Sequence, residues 1–280
     1  MKLLRYGPAG QEKPALLDAA GQPRDLSGLI GDIDAAALSG AGLERLRAAD
    51  PESLPRIETP GRLGPCVAGC GTFLGIGLNY SDHAKEAGQP EPKEPILFMK
   101  AASCISGPND DVPLPPDATK LDWEVELGVV IGETCRHVSE AAALDHVAGY
   151  CVVNDVSERA FQMERGGQWV KGKSYDGFGP VGPYLVTRDE VPDPQDLDMF
   201  LEVNGKRMQD GNTGTMIFSV AEIVSYVSRF MTLRPADIVT TGTPPGVGLG
   251  LKPPRYLSVG DEMRLGIAGL GEQRQRVVSV

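Results

Sequence analysis

At 280 residues the chain has room for one large domain, or one domain with a small appendage, and 41% hydrophobic residues supply an ordinary core. The formal net charge of −11, with no run of Lys or Arg, argues against a nucleic-acid partner. No stretch approaches the roughly 18 apolar residues of a membrane span. Met1–Gly10 also lacks the apolar segment of a signal peptide, so a cytoplasmic location is expected.

Residues 1–65 read as a small N-terminal α/β domain. Lys2–Tyr6 and Ala15–Asp18 have strand character, Ala35–Ala48 has helical spacing, and a Pro-punctuated segment over 51–61 reads as a linker. Cys66 and Cys70 are four apart, but no second Cys/His pair completes a zinc site. Five scattered cysteines fit free thiols in a reducing compartment.

A larger catalytic domain is expected over 71–280. Gly 35 and Pro 23 without a repeat period point to many turns, and short apolar runs follow one another between Gly, Pro, Asn and Asp. Helices are expected only at Ser81–Ala87, Val138–Leu144, Val156–Arg165 and Val220–Phe230. Many strands and few helices predict a β-rich α+β fold, as a mixed-sheet barrel or sandwich.

The segment Gly77-Leu-Asn-Tyr80-Ser-Asp-His83-Ala-Lys-Glu86 follows an apolar strand, with Ser81 or Asp82 placed to cap a short helix. His83 and Glu86 are i and i+3, so the carboxylate can orient the imidazole, as a general base requires; a surface pair has the same spacing. The Pro-rich stretch after Gly88 cannot continue the helix and suits a tether for a lid. His137 and His146 read as surface residues.

Asp122-Trp-Glu124-Val-Glu126-Leu opens a run that is apolar through Ile131. On a strand Glu124 and Glu126 share one face. Two carboxylates at the opening of a buried strand repel and lose hydration, which a hard divalent cation between them relieves; a solvated strand face also accommodates Glu-x-Glu. Asp155 follows a second apolar strand, Gly149–Asn154, where polar residues begin. Three carboxylates without His or Cys favour Mg²⁺, or Mn²⁺, over Zn²⁺. Continued as a helix, Asp155, Arg159 and Gln162 fall at i, i+4 and i+7, where Arg159 either holds a substrate carboxylate or pairs with Asp155 or Glu158.

Lys171 and Lys173 sit in a Gly-rich segment, where Lys173 could stabilise an oxyanion and both could equally be solvated. Thr240-Thr-Gly-Thr243-Pro-Pro-Gly-Val-Gly lacks the residue order of a phosphate-binding loop. Gly75-Ile-Gly77 does not complete a dinucleotide fingerprint.

Six segments occur in one order: Gly77-Leu-Asn-Tyr-x-x-His-x-x-Glu86, Phe98-Met-Lys100, Leu121-Asp-Trp-Glu-Val-Glu-Leu-Gly128, Asn154-Asp-Val-Ser-Glu-Arg159, Lys171-Gly-Lys-Ser174 and Thr241-Gly-Thr-Pro-Pro-Gly-Val-Gly248. Together they resemble the fumarylacetoacetate hydrolase family over roughly 71–278, and within it the bacterial long-form subgroup of diketo-deoxy sugar-acid hydrolases. The resemblance implies a mixed β-sandwich-roll and a homodimer. It implies Mg²⁺ (or Mn²⁺) on Glu124, Glu126 and Asp155. It further implies catalytic His83, Glu86 and Lys173, with Tyr80, Lys100, Arg159, Gln162 and Thr243 around a small 2-oxo acid. The implied reaction cleaves a 2,4-dioxo acid to pyruvate and a carboxylic acid. Oxaloacetate decarboxylation and 2-hydroxyhepta-2,4-diene-1,7-dioate-type isomerisation remain as alternatives on the same scaffold.

Overall fold

The run Val125-Glu-Leu-Gly-Val-Val-Ile131 has too little polar surface to leave either face in water. In the computed structural model, which describes residues 1–86 and 88–280, all seven of its residues are buried. It lies inside a nine-stranded mixed sheet. The order is Pro23–Asp25, Lys13–Leu17, Lys2–Tyr6, Leu185–Thr187, Val147–Asn154, Val125–Ile131, Ile238–Thr240, Phe73–Gly77 and Ile96–Lys100. Phe73–Gly77 runs parallel to Ile238–Thr240 and antiparallel to Ile96–Lys100. A second sheet orders Lys206–Asn212, Asp198–Val203, Glu262–Ile267, Gly271–Ser279 and Val112–Leu114. It packs on the first where Asp198–Val203 and Glu262–Ile267 meet Val125–Ile131. The fold is the expected β-rich α+β arrangement, with open sheets rather than a closed barrel.

The N-terminal segment joins the same sheet and the same core. Lys2–Tyr6 pairs with Leu185–Thr187, and Leu3, Leu16, Ile33, Leu38 and Leu46 belong to one hydrophobic cluster with Leu127, Val152 and Val239. The expected helix over 35–48 is two helices, Ala35–Leu38 and Gly40–Arg47. Ser39 is extended between them and caps the second by accepting from the Gly42 N–H. Of the other expected helices, Ser81–Glu86 and Val220–Ser228 form, and Val138–Leu144 shortens to Glu140–Ala143. Ala87, the expected end of the first, lies outside the described residues. His137 is exposed, whereas His146 is only partly so, with its Nδ1 enclosed. All five cysteines are free. Among the described residues no helix is long and apolar enough to cross a membrane.

The sheets are joined behind the site by buried amides. Along Gly271–Ser279 burial alternates, so Gln273, Gln275 and Val277 point inward. Gln275 accepts from Asn154 Nδ2 at 3.1 Å and donates to the Pro108 carbonyl, while Asn154 Oδ1 accepts the Glu124 N–H at 3.2 Å. Gln209, from Lys206–Asn212, accepts the Val125 N–H at 3.0 Å and donates to Thr243 Oγ1 and the Pro244 carbonyl at 2.8 Å each. Gln275→Leu would leave the Asn154 amide without its oxygen acceptor and the Pro108 carbonyl without this donor. It should lower the unfolding free energy by about 2–4 kcal/mol, read from the midpoint of urea denaturation; an unchanged midpoint would show that the bridge is dispensable.

Candidate active site and metal centre

Strand register builds the acidic cluster. Val125–Ile131 and Val147–Asn154 run antiparallel, with Val125 opposite Asn154 and Glu126 opposite Val153. One step beyond the last rung the Asp155 N–H donates to the Glu124 carbonyl at 2.9 Å, which sets those two residues across from each other. Glu126 shares the Glu124 face because side chains alternate. Glu124, Glu126 and Asp155 are 5%, 2% and 0% exposed, and one carboxylate oxygen from each lies within 4.8 Å of the others.

Three buried cations face them. Lys173 Nζ donates to Glu124 Oε2 and Asp155 Oδ2, each at 2.6 Å. Arg159 donates to Glu124 Oε1 at 2.6 Å and to Asp122 Oδ2 at 2.9 Å. Lys100 donates to Asp155 Oδ1 at 2.5 Å and to the Lys173 carbonyl. Four carboxylates (Asp122, Glu124, Glu126, Asp155) thus meet three cations. Burial works against the Glu124 charge, but Arg159 and Lys173 outweigh it and hold the carboxyl well below the usual range. For Glu126, burial and then the Asp155 and Glu124 charges push the carboxyl well above that range. Burial works against the Lys173 ammonium too, yet the Asp155 and Glu124 carboxylates overcome it and raise its pKa.

Glu126 is the member left without a cation of its own. Its Oε2 accepts from the Thr240 hydroxyl and from the Gly242 N–H at 2.9 Å, and no hydrogen bond among the described residues reaches Oε1. With Glu126 ionised, this oxygen-only set carries one negative charge in excess, and it fits a hard divalent cation such as Mg²⁺ or Mn²⁺.

A cavity of about 750 Å³ opens onto this cluster. His83, Glu86, Glu124, Glu126, Arg159, Gln162, Lys173 and Thr243 all line it, so eight of the expected site residues come together from five stretches of chain. His83 Nδ1 lies 3.1 Å from Glu86 Oε2, and Glu86 also accepts the Gly246 N–H at 3.1 and 3.2 Å. Burial alone would raise the Glu86 carboxyl, but its bonds to His83 and Gly246 lower it, so it stays ionised and accepts from Nδ1. In the tautomer that donates from Nδ1, Nε2 carries the lone pair that can take a proton.

Three expectations do not match the structure. Tyr80 does not line the cavity: it is fully buried, with its hydroxyl on Met199 Sδ at 3.2 Å. Lys100 lies behind the cluster, 1% exposed, and reaches Asp155 rather than the cavity. The single helical face of Asp155, Arg159 and Gln162 does not exist. Ser157–Glu158 is a strand paired with Leu121–Asp122, and the helix spans only Arg159–Met163. Arg159 and Gln162 still touch, at 3.3 Å. The pairing of 157–158 with 121–122 also brings in Asp122, which sequence reasoning passed over. Besides Arg159 it holds the Gly248 and Leu249 N–H groups at 2.7 and 3.0 Å. Its signal was present, since Asp122, Glu124 and Glu126 alternate with Trp123 and Val125. Gln209, far away in the chain, carried none.

Residues 72–278 match the family described as fumarylacetoacetate (FAA) hydrolase, C-terminal. The chain belongs to this family. A Burkholderia cenocepacia (strain HI2424) protein that carries only the provisional name of a hydrolase is 64% identical over 277 residues, covering 99% of this chain and 98% of its own. Among solved structures, a fumarylacetoacetate hydrolase from Exiguobacterium antarcticum superposes with a TM-score of 0.90 at 37% identity, covering 100% of both chains. Maleylpyruvate hydrolase from Sphingobium sp. SYK-6, solved with manganese(II) and pyruvate, gives 0.82 at 30% identity, covering 100% of this chain and 99% of that one. A 2-hydroxyhepta-2,4-diene-1,7-dioate isomerase from Mycobacterium marinum gives 0.77 at 32%, covering 100% and 98%. Proteins named as hydrolases and as isomerases therefore share this family fold.

Glu126→Ala should weaken Mn²⁺ binding at least about 100-fold, measured by calorimetry on protein whose circular dichroism is unchanged. Equal affinity in the variant would remove Glu126 from the metal centre.

Proposed function

We propose that this fumarylacetoacetate hydrolase family member cleaves a carbon–carbon bond of a 2,4-dioxo acid to give pyruvate and a carboxylic acid. The observation that carries the reading is the oriented His83–Glu86 pair, which lines the same cavity as Glu124, Glu126 and Lys173. Glu124, Glu126 and Asp155 would hold Mg²⁺ or Mn²⁺. When bound, the ion supplies Lewis acidity to the 1-carboxylate and 2-oxo group of the substrate.

The chain's own residues do the rest. Glu86 accepts the Nδ1 hydrogen of His83 and fixes the ring with Nε2 free. His83 takes a proton from water as the water oxygen bonds to C4. The C3–C4 bond then breaks and its electron pair passes into the 2-oxo group as an enolate. Lys173 and Arg159 present fixed positive charge to that developing anion, with no reorganisation of water required. A proton delivered to C3 completes pyruvate. Gln162, whose Oε1 is taken by Arg159, keeps its amide N–H groups for orienting the dioxo acid, whereas the Thr243 hydroxyl, which also lines the cavity, is held by the Val125 carbonyl at 2.9 Å and by Gln209.

Isomerisation is the second reading, supported by the isomerase among the solved structures. It uses the same enolate stabilisation without an attacking water. His83→Ala distinguishes the two. With metal affinity kept, hydrolysis should fall by about 10²–10⁴-fold, measured as pyruvate release with Mg²⁺, Mn²⁺ or EDTA. A hydrolytic rate equal to the parent would remove His83 as the base, and metal-independent turnover would remove the centre from the reaction.

A further inference from the structure

The cavity lining is of two chemically different kinds. Its buried charged and amide groups are Glu124, Glu126, Arg159, Gln162 and Lys173, which are the groups that would take the 2-oxo acid, while Glu86, Gln89 and Lys252 line it nearer to solvent. The remaining wall is formed largely by Met163, Trp169, Val247, Leu249, Leu251 and Pro254. The Trp169 ring is packed on Phe98, centroids 5.5 Å apart, so this wall is braced. Gly75 and Gly77 make the bracing possible. A Cβ on Gly75 would stand 2.2 Å from Phe98 Cζ, and one on Gly77 would stand 2.6 Å from Trp169 Cζ3.

The apolar lining continues outward to water. Met163 and Leu249 are 45% and 37% exposed, apolar side chains left uncovered where the cavity opens. Few polar groups there are available to a ligand. Glu86 already serves His83 and Gly246, which leaves Gln89 and Lys252 at the exposed edge, where a ligand would have to take them from water. A hydroxylated chain on this wall would give up bonds to water and find few in return. A hydrocarbon chain would lose nothing and leave water.

We propose that the acyl group of the substrate is an unhydroxylated hydrocarbon, a chain of several carbons or an aryl ring, rather than the polyhydroxylated chain of a sugar acid. This rests on the 2,4-dioxo acid reading above and names its substrate class. Water adds to C4, the C3–C4 bond breaks, C3 gains a proton, and the products are pyruvate and an alkanoic or aromatic carboxylic acid.

Two measurements test it. With Mg²⁺ present, kcat/KM for 2,4-dioxo acids with straight acyl chains should rise about fourfold per added methylene until the chain reaches the opening. A polyhydroxylated chain of equal length should fall at least about tenfold below its hydrocarbon counterpart. A flat series, or a polyhydroxylated substrate as good as the hydrocarbon one, overturns the proposal. Independently, saturated straight-chain 2-oxo acids have no 4-oxo group to be cleaved, and their affinity by calorimetry should tighten with length. Leu249→Asp and Met163→Asp should flatten that trend. If no dioxo acid is turned over while affinity still climbs with chain length, the proposed reaction fails and the apolar subsite stands. If dioxo acids are cleaved but neither rate nor affinity depends on length, the reaction stands and the subsite fails.

Discussion

One register between two antiparallel strands sets the charge cluster on which the rest of the site depends. Because Glu126 lies opposite Val153 and Glu124 opposite Asp155, three carboxylates reach one small volume from backbone that the sheet holds rigid. A slip of one residue would send Glu124 and Glu126 to the other face and bring Val125 and Leu127 against the cations. The neighbouring strand that carries Thr240, and the loop that carries Gly242, secure one oxygen of Glu126. Lys173 and Arg159 divide the two oxygens of Glu124 between them. Charges so far from water are tolerated only while every partner is present.

Much of this geometry was legible because it is local. Alternation places Glu124 and Glu126 on one face without knowledge of any other strand, and the polar switch after Asn154 marks Asp155. His83 and Glu86 are one helical turn apart and so meet wherever the helix goes. What was not legible depends on pairing across the chain. Residues 157–158 look helical, but their ladder with 121–122 pulls them into a strand and starts the helix only at Arg159. Tyr80 stands close to His83 in sequence, yet its side chain turns into the core towards Met199. Lys100, expected beside the substrate, is instead sealed behind Asp155. The N-terminal strands have turn signals that suggest a unit of their own, and no local pattern could show that Lys2–Tyr6 adds to the edge of Leu185–Thr187.

In the proposed reaction, stabilising charge and moving a proton fall to separate elements. Lys173 and Arg159 are fixed by salt bridges to the sheet's carboxylates, and they would favour negative charge on a 2-oxo group without dictating what happens at a more distant carbon. The His83–Glu86 pair comes from the short helix Ser81–Glu86 and is held to the site by the bond between Glu86 and the Gly246 N–H. On that proposal, changes in the helix would alter the outcome of the reaction while the charge cluster stays as it is.

Gly75 and Gly77 give a spacing that looks like part of a nucleotide fingerprint, but here two missing side chains leave space for two aromatic rings. Phe98 and Trp169 both line the cavity, so its volume is governed from beneath. A single methyl group on either glycine would displace one of the rings, and Phe98 also carries the Lys173 ammonium 4.9 Å from its centre. The smallest residues of one strand decide how large a guest the cavity can admit.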